Sequence, residues 1–111
     1  GWTAGKQGPK STVIHEFAHV LDIHRMVPAF STGFDLPVDQ RNEMLTAYAA
    51  LAAAEQKMHD KYGFVSGYSK TNPLERFAED FLAGFEGKES HQEWYKALLD
   101  YNAVLDRLVP N

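Results

Sequence analysis

A chain of 111 residues has room for one compact domain with a modest core, and a 44% hydrophobic, 13% aromatic composition places it among globular rather than disordered proteins. The formal charge of −4 and the lack of a basic run argue against a nucleic-acid partner, and no apolar stretch is long enough to span a membrane. Cysteine is absent, which excludes disulfides and thiolate metal sites and leaves His, Asp and Glu as the strong metal ligands.

Residues 1–10 (GWTAGKQGPK) read as a loop or a frayed start. They begin Gly1-Trp2 with neither an initiating Met nor a signal-peptide pattern, so residues 1–111 are taken as one domain cut from a longer protein, its compartment left open between a secreted and a phage-associated parent. Ser11 is an expected N-cap for a helix to about Arg25. That helix carries Val13, Ile14, Phe17, Ala18, Val20, Leu21 and Ile23, apolar nearly all round, and is expected to be the central, most buried one. Residues 26–37, with Pro28, Gly33 and Pro37, read as a loop pinned by Phe30 and Phe34.

An Ala-rich helix is expected from about Val38 to Lys61, stopped by Gly63, and then a loop over residues 62–72. Asn72 and Pro73 suit the N-cap and first position of a helix to about Glu86. Its Leu74, Phe77, Ala78, Phe81, Leu82 and Phe85 form an amphipathic stripe, and Gly87 ends it. A last helix from about Gln92 to Leu108 gathers Trp94, Tyr95, Leu98, Leu99, Tyr101, Val104 and Leu105 largely on one side. The expected fold is mainly α: a compact four-helix domain with little or no β structure.

Residues His15-Glu16-Phe17-Ala18-His19 form an HExxH motif. Residues four apart on a helix are separated by about 40° around the axis and about 6 Å along it, so both imidazoles can share one tetrahedral zinc. Glu16 is rotated by about 100°, beside the metal rather than on it, where it can move a proton from water to a leaving amine. This composition would produce the pattern about 0.016 times by chance. A pair of satisfied histidines is the plainer alternative, but two imidazoles and a carboxylate on an apolar helix cost several kcal/mol unless paired or metal-bound.

The third ligand decides the type of site. The extended motif with a third His six residues after His19 meets Arg25 there, and Asp22 stands where that motif has Gly. His24 is one residue out of register and is expected to point away. A glutamate from the later helix is the other arrangement, and Glu75 and Glu79 both border its apolar stripe one turn apart. Glu75 could instead complete a capping box behind Asn72, and Glu79 could be a solvated flank residue. Spacing gives Glu75 only a slight edge.

The segment from Tyr68 through Asn72, Glu75, Phe77, Ala78 and Glu79 to Phe81 resembles the second zinc segment of the anthrax lethal factor catalytic domain and its relatives, which include bacterial Pro-Pro endopeptidases. HEFAHVLD, ending in Asp22, resembles the HEFxHxxD of that family. The resemblance implies His15, His19 and Glu75 as ligands of one zinc ion, Glu16 as general base, and Tyr68 as a group that stabilises an oxyanion or protonates the leaving group. A tyrosine on a Gly-bearing loop before the ligand helix could physically reach the metal, although plain packing is the alternative. Asp22, three residues after His19, and Glu79 are assigned to hydrogen-bonding the ligand imidazoles and fixing their tautomers; a surface acid at a helix end is the alternative for Asp22. Such relatives carry a small sheet before the zinc helix, and only fourteen residues precede His15 here, so that sheet is expected to be missing or minimal.

The expected function is a zinc-dependent endopeptidase acting on a peptide or protein substrate, as part of a larger bacterial or phage protein. A peptidase-like module that keeps zinc for structure or partner binding is the second reading, and a metal-free helical interaction domain the third.

Overall fold

The computed structural model describes residues 9–111, in which every regular element is helical and no strand occurs. The protein is a compact, mainly α domain, as its sequence implies. Helix α1 (Pro9–Val20) passes through a π-helical segment (Leu21–Met26) into α2 (Val27–Gly33). There follow α3 (Val38–Tyr62), the short α4 (Gly67–Thr71), α5 (Pro73–Phe85), one 3-10 turn (Glu89–His91) and α6 (Gln92–Leu108).

The core lies where the amphipathic stripes meet. Met44, Leu51 and Met58 come from one face of α3 at seven-residue steps, and Trp94, Leu98, Tyr101 and Leu105 from one face of α6; all are buried, with Ala78 and Phe81 of α5 against them. Ion pairs Lys57–Glu93 and Arg107–Glu43 join opposite ends of α3 and α6, so the two helices run antiparallel. Gly63 (φ 73°) stops α3 and Gly87 (φ 91°) follows α5, both in the left-handed region open to glycine. Where Gly84 meets α6, a Cβ would lie 2.7–2.9 Å from Tyr95 side-chain atoms. Gly84→Ala is therefore expected to destabilise the domain by about 1–3 kcal/mol through overpacking, measured by denaturant unfolding; an unchanged midpoint would mean that the ring simply moves aside.

Three expectations change. The first helix does not end near Arg25, and residues 26–33 are helical rather than a loop. The cause is local: Pro28 has no N–H, and its ring would crowd the His24 carbonyl in a regular α-helix. The chain widens instead, the Val27 N–H bonding the Asp22 carbonyl five residues back, and continues as helix beyond the proline. At the other end α1 already runs from Pro9, within the stretch expected to be a loop, so Ser11 sits buried inside it rather than capping it. Phe30 does pack on the body, against Tyr48 at 4.6 Å between ring centroids, and Phe34 meets Phe30 edge to face.

The second change concerns α1, which is not the most buried helix. It lies against α5 on one side, where Phe17 meets Phe81, while Val13, Phe17 and Val20 remain 64%, 52% and 53% exposed. The third is α4, which replaces part of an expected loop. Ser66 caps it by accepting from the Ser69 N–H, and the Ser69 hydroxyl accepts from the Ser66 N–H.

Beneath the helix pairings lies a polar cluster. Asp80 on α5, only 1% exposed, pairs through Oδ2 with His59 Nε2 of α3 and through Oδ1 with His91 Nε2 of the 3-10 turn, each at 2.8 Å. One buried carboxylate thus ties three segments together.

Candidate metal centre

His15 and His19 face the same way from consecutive turns of α1, their rings edge to face with centroids 4.9 Å apart. Across from them, Asn72 fixes the first turn of α5: its Oδ1 accepts from the backbone N–H groups of Leu74 and Glu75. Contact of α1 with α5, through the Phe17 and Phe81 rings among others, sets the two ligand-bearing turns side by side. Glu75 Oε2 then lies 3.0 Å from His15 Nε2, and Glu75 Oε1 lies 3.1 Å from His19 Nε2. The Glu75 side chain reaches across to α1 and does not turn back to complete a capping box, which separates it from the plainer reading of its position.

The three groups are suited to a metal. One ligand atom from each of His15, His19 and Glu75 can be chosen so that all lie within 4.8 Å of one another. Two ligands on one tetrahedral zinc stand roughly 3.3 Å apart, close to the two His–Glu separations seen here. Two imidazoles and one carboxylate are borderline donors of the kind zinc takes, and three protein ligands leave a fourth position open. The side chains are 21%, 22% and 23% exposed, so the cluster can be reached from solvent. A metal would take the unprotonated Nε2 of each ring in place of its contact with Glu75.

The other expected residues are placed as follows. Glu16 is exposed on α1 and makes no hydrogen bond or ion pair among the described residues. Asp22, in the π-helical segment, is half-buried; burial pushes its carboxyl above the usual range, and the nearby His19 pulls it back down. No hydrogen bond joins Asp22 to an imidazole among the described residues. Glu79 does not reach an imidazole either: its Oε2 accepts from the Ser66 hydroxyl at 2.8 Å, tying the start of α4 to α5. His24 is exposed and lies outside the cluster, as its register implies.

Tyr68, on α4, is exposed, and its hydroxyl accepts from Asn72 Nδ2 at 3.3 Å rather than joining the cluster. Asn72 therefore serves two purposes, capping the Glu75 helix and holding Tyr68 beside it. Arg76 completes the attachment by donating to the backbone carbonyls of Ser69 and Lys70 at 3.0 and 2.7 Å. Ser66, Ser69 and Arg76 were not singled out from the sequence, although the Ser-x-x-Ser pattern before Asn72-Pro73 is a recognisable cap. No helix among the described residues is long and apolar enough to cross a membrane. A comparison with known proteins finds no matching family model, no similar curated protein and no similar solved structure.

Proposed function

We propose that this chain is a zinc-dependent peptidase domain that hydrolyses peptide bonds. The observation that carries the reading is the convergence of His15 and His19 from α1 with Glu75 from α5 on one accessible point. Zinc held there would act as a Lewis acid, polarising a scissile carbonyl and lowering the pKa of a water molecule.

The chain's own residues supply the rest. Glu16, adjacent to His15 and about 100° around α1 from it, presents a solvent-facing carboxylate able to take the proton from water and deliver it to the leaving amine. Tyr68 is held near the start of the Glu75 helix by Asn72, and because its hydroxyl accepts from that amide, its own proton is left to donate to an oxyanion. The resemblance of both segments to the lethal factor family favours the same roles.

Glu16→Gln should leave zinc bound and lower peptide hydrolysis by at least about 100-fold, because the residue acts on water and not on the metal. The test pairs metal analysis with cleavage of a mixed peptide library, with and without chelator. If the Gln variant loses its zinc, Glu16 is a ligand and the mechanism is wrong.

A second reading has one observation in its favour. The His–Glu cluster clamps α1 to α5 while much of the apolar surface of α1 stays exposed, so zinc could serve chiefly to hold that helix in place. A zinc-loaded protein that gains stability but cleaves nothing, in wild type and Glu16→Gln alike, would favour this reading.

A further inference from the structure

A cavity of about 310 Å³ opens between the π-helical segment, α2, α3, α5 and α6. Asp22 on its wall is one turn past His19 in the π-helical continuation of α1, and Pro73 and Phe77 reach it from the face of α5 turned away from Glu75, so the cavity is separate from the His15–His19–Glu75 cluster but borders the same two stretches of chain. Its volume is near the lower end of small-ligand pockets, about 300–1,000 Å³. It suits one side chain, not a folded partner.

Three features of the lining call for a ligand. Asp22 and Glu55 both face the cavity, and neither makes a hydrogen bond or an ion pair among the described residues. Tyr101 on the lining is 1% exposed, and its hydroxyl is buried without any hydrogen-bond partner. The walls are aromatic: Tyr48 packs against Phe30 at 4.6 Å and against Tyr101 at 5.7 Å between ring centroids, and Trp94 also lines the cavity.

The chemistry of an occupant follows. Two carboxyl groups would repel an anion. A neutral alkyl chain would leave both of them, and the Tyr101 hydroxyl, desolvated and unpaired. The neighbouring arginines are engaged elsewhere: Arg25 with Asp106 and the Val109 carbonyl, Arg76 with the carbonyls of Ser69 and Lys70. An organic cation on an apolar stem satisfies all of these groups. Its N–H groups donate to the carboxylates and to the phenol oxygen, its stem lies on the rings, and its charge gains from the aromatic faces.

We infer that this cavity receives a basic side chain, lysine or arginine, of the peptide substrate, with Glu55 and Asp22 as its anionic partners and Tyr101 as a hydrogen-bonding end wall. The inference rests on the proposed peptidase function for its substrate, but not for the cation site itself. Burial pushes the Glu55 carboxyl above its ordinary value, so its ionised form weakens the folded state as pH rises above about 4.5. A carboxyl retained at such a cost is expected where it serves binding.

The test has two arms. In the first, n-butylammonium chloride is titrated into the metal-free and the zinc-loaded full chain, followed by NMR shifts of the Trp94 indole, with n-butanol as the uncharged isostere. Both forms should bind the amine in preference to the alcohol. Glu55→Gln should weaken amine binding by at least about tenfold, the worth of a charge-assisted hydrogen bond, and Tyr101→Phe by about threefold. Glu55→Gln should unfold at or above the wild-type temperature at pH 7, which separates lost binding from lost folding. Equal binding of butanol, or amine binding indifferent to Glu55, would overturn the cation site.

In the second arm, zinc-loaded protein is given peptides in which each lysine is replaced in turn by norleucine. At one position the replacement should lower kcat/KM at least about tenfold, and Glu55→Gln should erase most of that difference. Cleavage indifferent to lysine at every position would overturn the role as a substrate subsite. Glu55-dependent amine binding with no peptide cleaved would leave the cation site standing and remove the peptidase function instead.

Discussion

Glu75→Ala is expected to lower zinc affinity by at least about 100-fold, whereas Glu79→Ala should lower it by less than about tenfold. Structural zinc sites bind with about 10–16 kcal/mol shared among their ligands, so each of a few protein ligands accounts for some 3 kcal/mol or more. Glu75 is the only carboxylate that meets both imidazoles, at 3.0 and 3.1 Å among the described residues. Glu79, one turn along α5, bonds Ser66 instead, so its loss should loosen α4 and Tyr68 while leaving the cluster in place. His19→Ala should match Glu75→Ala, since two remaining ligands cannot close the site. Because the Glu75 carboxylate also bridges α1 and α5 without metal, part of its effect is on folding. Zinc titration of folded protein, checked by circular dichroism, separates the two effects. The proposed site is lost if Glu79→Ala proves the more damaging change, or if wild type and His19→Ala hold equal zinc.

Why Glu75 and not Glu79 meets the His15 and His19 imidazoles is beyond the reach of spacing. The two carboxylates are one turn apart on the same border of the α5 stripe, and only the placement of α1 against the first turn of α5 distinguishes them. Both ends of α5 and α6 were legible because each carries its own local signal: Asn72-Pro73 at the start of α5, Gly87 after it, and the stripe from Trp94 to Leu105 in α6. The continuation of α1 was hidden for the opposite reason. Pro28 reads as a stop, and a π-helical widening that admits it leaves no periodic trace in the sequence. The exposure of α1 was misjudged because an apolar helix implies burial only if enough neighbouring elements exist to cover it; here α5 covers one side. The cavity draws Asp22, Glu55 and Tyr101 from three separate segments, and such a grouping has no signature along the chain.

The cluster least visible in the sequence carries the largest expected effect on stability. Asp80 lies in the apolar half of α5, a position where an acid is rarely buried, and His59 and His91 are 21 residues before it and 11 after it. His91 Nε2 faces the Asp80 Oδ1 acceptor at 2.8 Å, and the Ser90 hydroxyl lies 2.9 Å from the other ring nitrogen, Nδ1. Asp80→Ala would strand two largely buried imidazoles without their acceptor, and breaking a buried pair in this way costs about 3–5 kcal/mol. For a domain of this size that corresponds to a fall in Tm of at least about 12 °C. Asp80→Asn keeps the volume and one oxygen, so one imidazole retains its acceptor while the other meets an NH2 group. Its cost should be smaller, about 1–3 kcal/mol. The ordering wild type, Asn, Ala, read by thermal unfolding of metal-free protein, tests the network apart from the metal cluster, because none of its members is among His15, His19 and Glu75. An Ala variant within about 1 kcal/mol of wild type would mean that the carboxylate's desolvation cancels its hydrogen bonds, and that α3, α5 and the 3-10 turn are held by their apolar contacts alone.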